Sequence, residues 1–227
     1  MGDMMDCINR KDPRHEEENL APWLQHKNNV LTIQQKRLIN VLQPIGETCL
    51  AYVIGNHELA VSKHCNMDMY ETIIDGIKPS DTDVLDIRMG ISGFLLLKFR
   101  RNGGGRKGGT HTMRFYMHHG YGGGDLMGGK ALKLERLAGR YDADIHLMGH
   151  THTLMVFPTV LTRADRAGRI VMDKRYQCQT GSLLQNALED TTTYSELGGK
   201  AALPLGVIEI KIKPGAENPA ERVRVIL

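Results

Sequence analysis

The sequence predicts an α/β protein with mixed sheets, folded as one domain over residues 1–227. Apolar runs of strand length alternate with amphipathic stretches of helical period in the first two thirds of the chain. The last third is a succession of strand-like runs broken by polar turns. A chain of 227 residues is long enough to bury a sizeable core.

Composition narrows the class. Hydrophobic residues make up 41% and charged residues 24%, as in ordinary soluble domains. Much of the glycine excess (25 residues) falls in two clusters, 103–109 and 120–129. A net charge of +3 does not by itself point to a polyanionic partner. The cysteines at 7, 49, 65 and 178 form no C-x-x-C pair, which argues against a zinc ribbon or a disulfide framework. The N-terminal residues show no basic-then-apolar leader pattern, and no run of about 18 apolar residues occurs. The expectation is a cytoplasmic protein without membrane contact.

Taken in order, residues 10–19 are charged and read as a loop, with Asp12 and Arg14 in a solvated turn. Residues 30–42 place Val30, Ile33, Leu38, Val41 and Leu42 on a helical period that Pro44 stops. Residues 48–54 read as a buried strand that runs out at Gly55 and delivers Asn56, His57 and Glu58. Residues 59–77 are helical in part, ending near Gly76 and Pro79. Residues 93–99 and 110–117 read as a strand and its return. Between them Arg100 to Gly109 is a basic, glycine-rich tip, either a solvated turn or a clamp for a phosphate backbone. Residues 120–129 read as a loop, 130–141 as a helix and 144–148 as a strand. Residues 154–161 and 170–176 are strands joined by a polar turn at 164–168. Residues 205–212 and 222–227 form a terminal hairpin with Pro214-Gly215 in the turn region.

The chemistry lies at strand ends, where α/β proteins carry their sites. An amide, an imidazole and a carboxylate follow the strand at 48–54. His118-His119-Gly120 and Gly149-His150-Thr151-His152 follow two later strands. Phosphoester hydrolysis near neutral pH needs a nucleophile made from water and charge relief on the phosphoryl oxygens. Two divalent cations about 3.5–4 Å apart supply both. Asp3, Asn56, His118 or His119, His150 and His152 make a suitable set of N and O ligands. In an extended backbone the two imidazoles of His150 and His152 project to one side. His15, His26, His64, His111 and His146 read as structural histidines. No H-E-x-x-H is present, which counts against a mononuclear metal hydrolase.

These motifs, in this order, resemble the calcineurin-like metallophosphoesterases. That family's pattern runs D-x-H, G-D-x-x-D, G-N-H-D/E, H, G-H-x-H. The last four have counterparts here: Gly2-Asp3-Met4-Met5-Asp6, Gly55-Asn56-His57-Glu58, His118-His119, and Gly149-His150-Thr151-His152. The resemblance implies two mixed β-sheets packed as a sandwich with flanking helices. It implies a phosphodiester or phosphomonoester substrate, with nucleic acid or a nucleotide favoured by the basic tip, and two ions of Mn, Fe, Zn or Ni. Asp3 would bridge the metals; Asn56, His118 or His119, and His150 would complete the second; His152 would serve the first. His119 is the better match to the fourth motif, since Gly rather than Pro follows it. His57 would contact phosphate and protonate the leaving group, Glu58 would orient His57, and Asp6 would be a structural hydrogen-bond partner. D-x-H is absent, and the strand expected to deliver Asp3 with it. The expectation is therefore a chain truncated at its N-terminus, with a first metal held only by Asp3 and His152 and with apolar edge surface exposed. The alternative is an impaired, phosphoesterase-like binding module with one metal site.

Overall fold

A computed structural model describes residues 1–10, 12, 15–78, 86–100, 110–184, 199, 201–216 and 222–227. The chain is an α/β protein with a mixed five-stranded sheet, a two-stranded sheet and helices. It divides into two compact units: Met1–Ser92 with Asn186–Ala202, and Gly93–Gln185 with Leu203–Leu227. The basic tip at 101–109 and Arg14 lie outside the described residues. No described helix is long and apolar enough to cross a membrane.

The first unit is built on helices. Short 3-10 turns at Glu17–Asn19 and Gln43–Thr48 flank α1, Val30–Leu42, which has the bounds the sequence predicts. Its buried side is set by Val30 and Gln35, with Leu31, Leu38 and Leu42 on the core, whereas Val41 is 64% exposed. Ile39 packs where a side chain at Gly76 would sit, its Cδ1 only 2.7 Å from an added Cβ. The partly helical stretch resolves into α2, Asn56–Cys65, and α3, Met69–Ile77. Asn66 turns left-handed between them, and Asp68 caps α3 by accepting the Glu71 amide at 3.0 Å.

The strand expected at 48–54 does not form. Residues 43–48 are a 3-10 turn, and from 49 to 55 there is only one isolated parallel bridge, Tyr52 to Arg88. Tyr52, Val53 and Ile54 are buried nonetheless, whereas Leu50 is 45% exposed, and hydrogen bonds tie the buried part to residues 87–90: Tyr52 N to Ile87 O, Met89 N to Tyr52 O, and Ile54 N to Gly90 O. Tyr70 fastens the same pair, donating its hydroxyl to Tyr52 O at 2.9 Å and accepting from Met89 N and Gly90 N. Burial and one short pairing satisfy the segment without a ladder.

The second unit holds β1, Ser92–Arg100; β2, Thr110–His118; α4, Met127–Ala138; β3, Ile145–Met148; β4, Leu154–Ala164; and β5, Ile170–Thr180. They are followed by β6, Glu209–Ile212, and β7, Val223–Ile226. The large sheet runs β1-β2-β3-β5-β4, with β3 parallel to both β2 and β5 and with β4 antiparallel to β5. Met113, Phe115, Ile145, Tyr176 and Cys178 pack on one face against β6 and β7. Tyr116 and Met148 pack on the other face against Leu134 and Leu137 of α4. The second sheet is an antiparallel pair rather than a mixed sheet. Helix α4 starts three residues earlier than expected and takes in Gly128 and Gly129, because burying Leu134 and Leu137 outweighs the ~1 kcal/mol per glycine that propensity costs.

His146 faces the α4 side and is fully buried. Its Nε2 donates to Tyr141 O at 2.7 Å, and its buried Nδ1 has no hydrogen-bond partner. A second proton would have no acceptor, and burial lowers its pKa below 6.5. Below 6.5 the unfolded chain takes up a proton that the folded chain resists, so stability falls as pH falls towards the folded value. The urea midpoint of the wild type should drop more between about pH 7.5 and about pH 5.5 than that of His146→Gln. Equal drops would overturn this assignment.

Candidate metal and phosphate site

Each unit carries its own cluster of the residues singled out by sequence. In the first unit the cluster forms around Glu58. Gly2 and Asp3 both have positive φ (78° and 49°), which curls the backbone so that successive amides converge. Glu58, 0% exposed, fills that curl. Its Oε1 accepts from Met4 N (2.7 Å) and Met5 N (3.3 Å), and its Oε2 from Asp3 N (3.0 Å) and Gly55 N (2.9 Å). Four amides solvate a carboxylate that burial would otherwise make costly.

The Gly55 bond is the return half of a helix N-terminal capping pair, with Glu58 in the third helical position. Glycine has no side chain to provide the other half. Asp3 provides it from 54 residues away, its Oδ1 accepting the His57 amide at 3.0 Å. A Cβ on Gly55 would lie 2.0 Å from Asp3 N and 2.1 Å from Asp3 Oδ1, so only glycine lets the two segments approach this closely. Asn56, expected in a strand-end loop, is instead the exposed first residue of α2.

His57 differs from expectation in its partner. Its Nδ1 donates to the Asp6 carbonyl at 2.8 Å, with Asp6 Oδ1 at 3.8 Å. Both Glu58 oxygens are engaged with backbone amides, so the group that orients His57 is Asp6. The bond is to the Asp6 backbone carbonyl, not to its carboxylate. A carbonyl acceptor fixes the proton on Nδ1 and makes Nε2 the nitrogen presented to a ligand.

In the second unit the cluster forms at the C-terminal ends of parallel strands. His118, Met148 and Gln179 are in register across β2, β3 and β5. His119 follows β2 and is 1% exposed; His150 follows β3, and their ring centroids lie 5.1 Å apart. His118 turns elsewhere. Its Nδ1 accepts the Gly120 amide at 2.7 Å, and its ring meets Tyr121 edge-on. Burial, then the neighbouring His119, hold its pKa below the usual imidazole value. The two loops are in close contact: a Cβ on Gly120 would lie 2.6 Å from Gly149 O and 2.7 Å from His150 Cβ.

The backbone at the His-x-His motif is not extended. His150 and His152 are left-handed, at φ 66° and 55°. Thr151 between them donates its hydroxyl to Gln179 Oε1 at 2.9 Å, and Thr153 donates to Thr151 O. Gln179, fully buried, also donates to Lys130 O of α4. These bonds bend the loop, and hydrogen bonding rather than pleat geometry aims its imidazoles. Nothing in the sequence singles out Gln179, since β5 carries polar residues along most of its length and only Tyr176 and Cys178 are buried with it. Left-handed non-glycine residues are strained and concentrate at functional sites. Six occur among the described residues, and Asp3, His150 and His152 are three of them.

The donor chemistry suits a transition metal. Two imidazoles at this separation can reach one cation with Zn–N-type bonds of about 2.1 Å, and carboxylate and amide oxygens suit the same ions. No family model, no curated protein and no solved structure matches the chain.

Proposed function

We propose that the chain is a metal-dependent phosphoesterase of the calcineurin-like type, with the two-sheet sandwich of that family. The observation that carries this furthest is the pair His119 and His150, brought to 5.1 Å by loops after adjacent parallel strands. The ligands assigned by motif order are Asp3, Asn56, His118 or His119, His150 and His152, and the ring contact with His150 favours His119. The strained backbone at Asp3, His150 and His152 supports the assignment.

Bound divalent cations supply charge relief on a phosphoryl group and a water of lowered pKa. The residues do the rest. The Glu58 anchor holds Asp3 in place, and Asp3 Oδ1 in turn fixes the first turn of α2. His57, with its proton held on Nδ1 by the Asp6 carbonyl, offers Nε2 to a phosphoryl oxygen or to the leaving group. Gln179 and Thr151 hold the His150 loop in its bent form.

The test is metal stoichiometry after manganese saturation, together with hydrolysis of bis(p-nitrophenyl) phosphate before and after chelation. About two ions per chain and activity that chelation abolishes are expected. Absence of both bound manganese and turnover would overturn the reading, and a single ion without turnover would favour the binding module. His57→Ala should lower turnover about 100-fold or more while leaving metal content unchanged.

A further inference from the structure

We infer that the face of the large sheet carrying β1 is a stacking platform for single-stranded nucleic acid. The platform lies wholly within the second unit.

Strand β1 alternates cleanly. Leu95, Leu97 and Phe99 pack on the core shared with β6 and β7. The opposite side shows Phe94 (50% exposed), Leu96 (52% exposed), Lys98 and Arg100. A solvated edge strand would ordinarily carry polar residues on that side. Phe94 is part of a three-ring cluster. Tyr141 stacks on Tyr116 with centroids 3.9 Å apart and planes at 11°, and Phe94 tilts against Tyr116 at 4.9 Å. Tyr116 is buried, so it backs the cluster while Phe94 and Tyr141 present it to solvent.

The charge beside the rings favours a polyanion. Arg140, adjacent to Tyr141, is exposed, as are Lys98 and Arg100 further along β1. The two carboxylates nearby, Asp142 and Asp144, are engaged by Arg114, and Asp142 also by Arg175. Aromatic faces flanked by cations suit unpaired bases and their phosphates. A duplex keeps its base faces internal and could not use the rings.

The experiment is fluorescence anisotropy of a 5′-labelled oligothymidylate of about 20 nucleotides, titrated with the full chain in EDTA at low salt, so that metal-dependent binding does not contribute. Phe94→Ala and Tyr141→Ala should each weaken binding about 10- to 100-fold, the worth of one base stack. Lys98→Glu with Arg100→Glu should weaken it and flatten its salt dependence by about 0.7 per lost phosphate contact. Phe94→Trp guards against a variant that fails to fold: it should keep affinity, and its added fluorescence should be quenched on saturation, with Trp23 of the wild type as background. Absence of wild-type binding, wild-type affinity in Phe94→Ala, or equal binding of duplex DNA or polyglutamate would each overturn the proposal.

Discussion

Replacing Glu58 with alanine should unfold the first unit, and replacing it with glutamine should be nearly as damaging. The side chain is fully buried and accepts four backbone amides, from Asp3, Met4, Met5 and Gly55. Each buried donor left without an acceptor costs ~1–3 kcal/mol. The Met5 and Gly55 bonds are buried and amount to about 2 kcal/mol at the low end, and the part-buried Asp3 and Met4 amides add to that, against a total stability of only ~5–15 kcal/mol for a typical domain. Glutamine conserves the shape but not the chemistry. Its one carbonyl oxygen can serve two of the amides, and its NH₂ then points donors at the other two. Aspartate keeps the charge but is one methylene too short to reach residues 3–5 from the first turn of α2. Trp23 provides the readout, since it is the only tryptophan, belongs to this unit, and has the Arg37 guanidinium 4.6 Å over its ring. Urea titration followed at that fluorophore should give midpoints in the order wild type, then Glu58→Gln, then Glu58→Ala. A glutamine variant within about 1 kcal/mol of wild type would mean that the amides find other acceptors.

The same carboxylate shows what could be read in the sequence. Gly55-Asn56-His57-Glu58 was legible as a polar cluster after an apolar run, but not as a helix start, because three polar residues in that place also describe a strand-end loop. The N-terminal signal was present, a glutamate three positions after Gly55, but the partner that completes the cap is Asp3, too distant for any local pattern to show. Helix α1 was legible to the residue because Pro44 and an amphipathic period agree. Its face was less so: Val41 lies on the predicted stripe yet is exposed, while Ile39 finds the gap left by Gly76. The run at 48–54 shows the limit of an apolar signal: Tyr52, Val53 and Ile54 are buried without a ladder, and Leu50 is exposed. For the histidines, sequence gave the residues and the spacing, whereas the left-handed turns at 150 and 152 depend on Thr151 and Gln179, which meet only in the folded sheet.

The fourth motif then separates two adjacent histidines by their surroundings, and their variants should behave very differently. His119→Ala should lower manganese affinity about 100-fold or more, since even the outer partners of metal ligands are worth ~10–100-fold. His118→Ala should change it far less. The ground is geometric. His119 is buried with its ring 5.1 Å from that of His150, while His118 Nδ1 is occupied by the Gly120 amide and its ring lies against Tyr121. His118 is the last residue of β2, whereas His119 is the first residue of the loop that packs on the Gly149-His150 turn. His118 still matters to stability: losing its acceptor frees the Gly120 amide, in a loop where Gly120 approaches Gly149 O too closely for any Cβ. Its variant should therefore melt at lower temperature while keeping most of its metal affinity. Calorimetric titration with manganese, beside thermal melts of both variants, measures the two effects separately. Equal losses of affinity would show that the ligand is not set by these contacts, and the reverse order would move the assignment to His118.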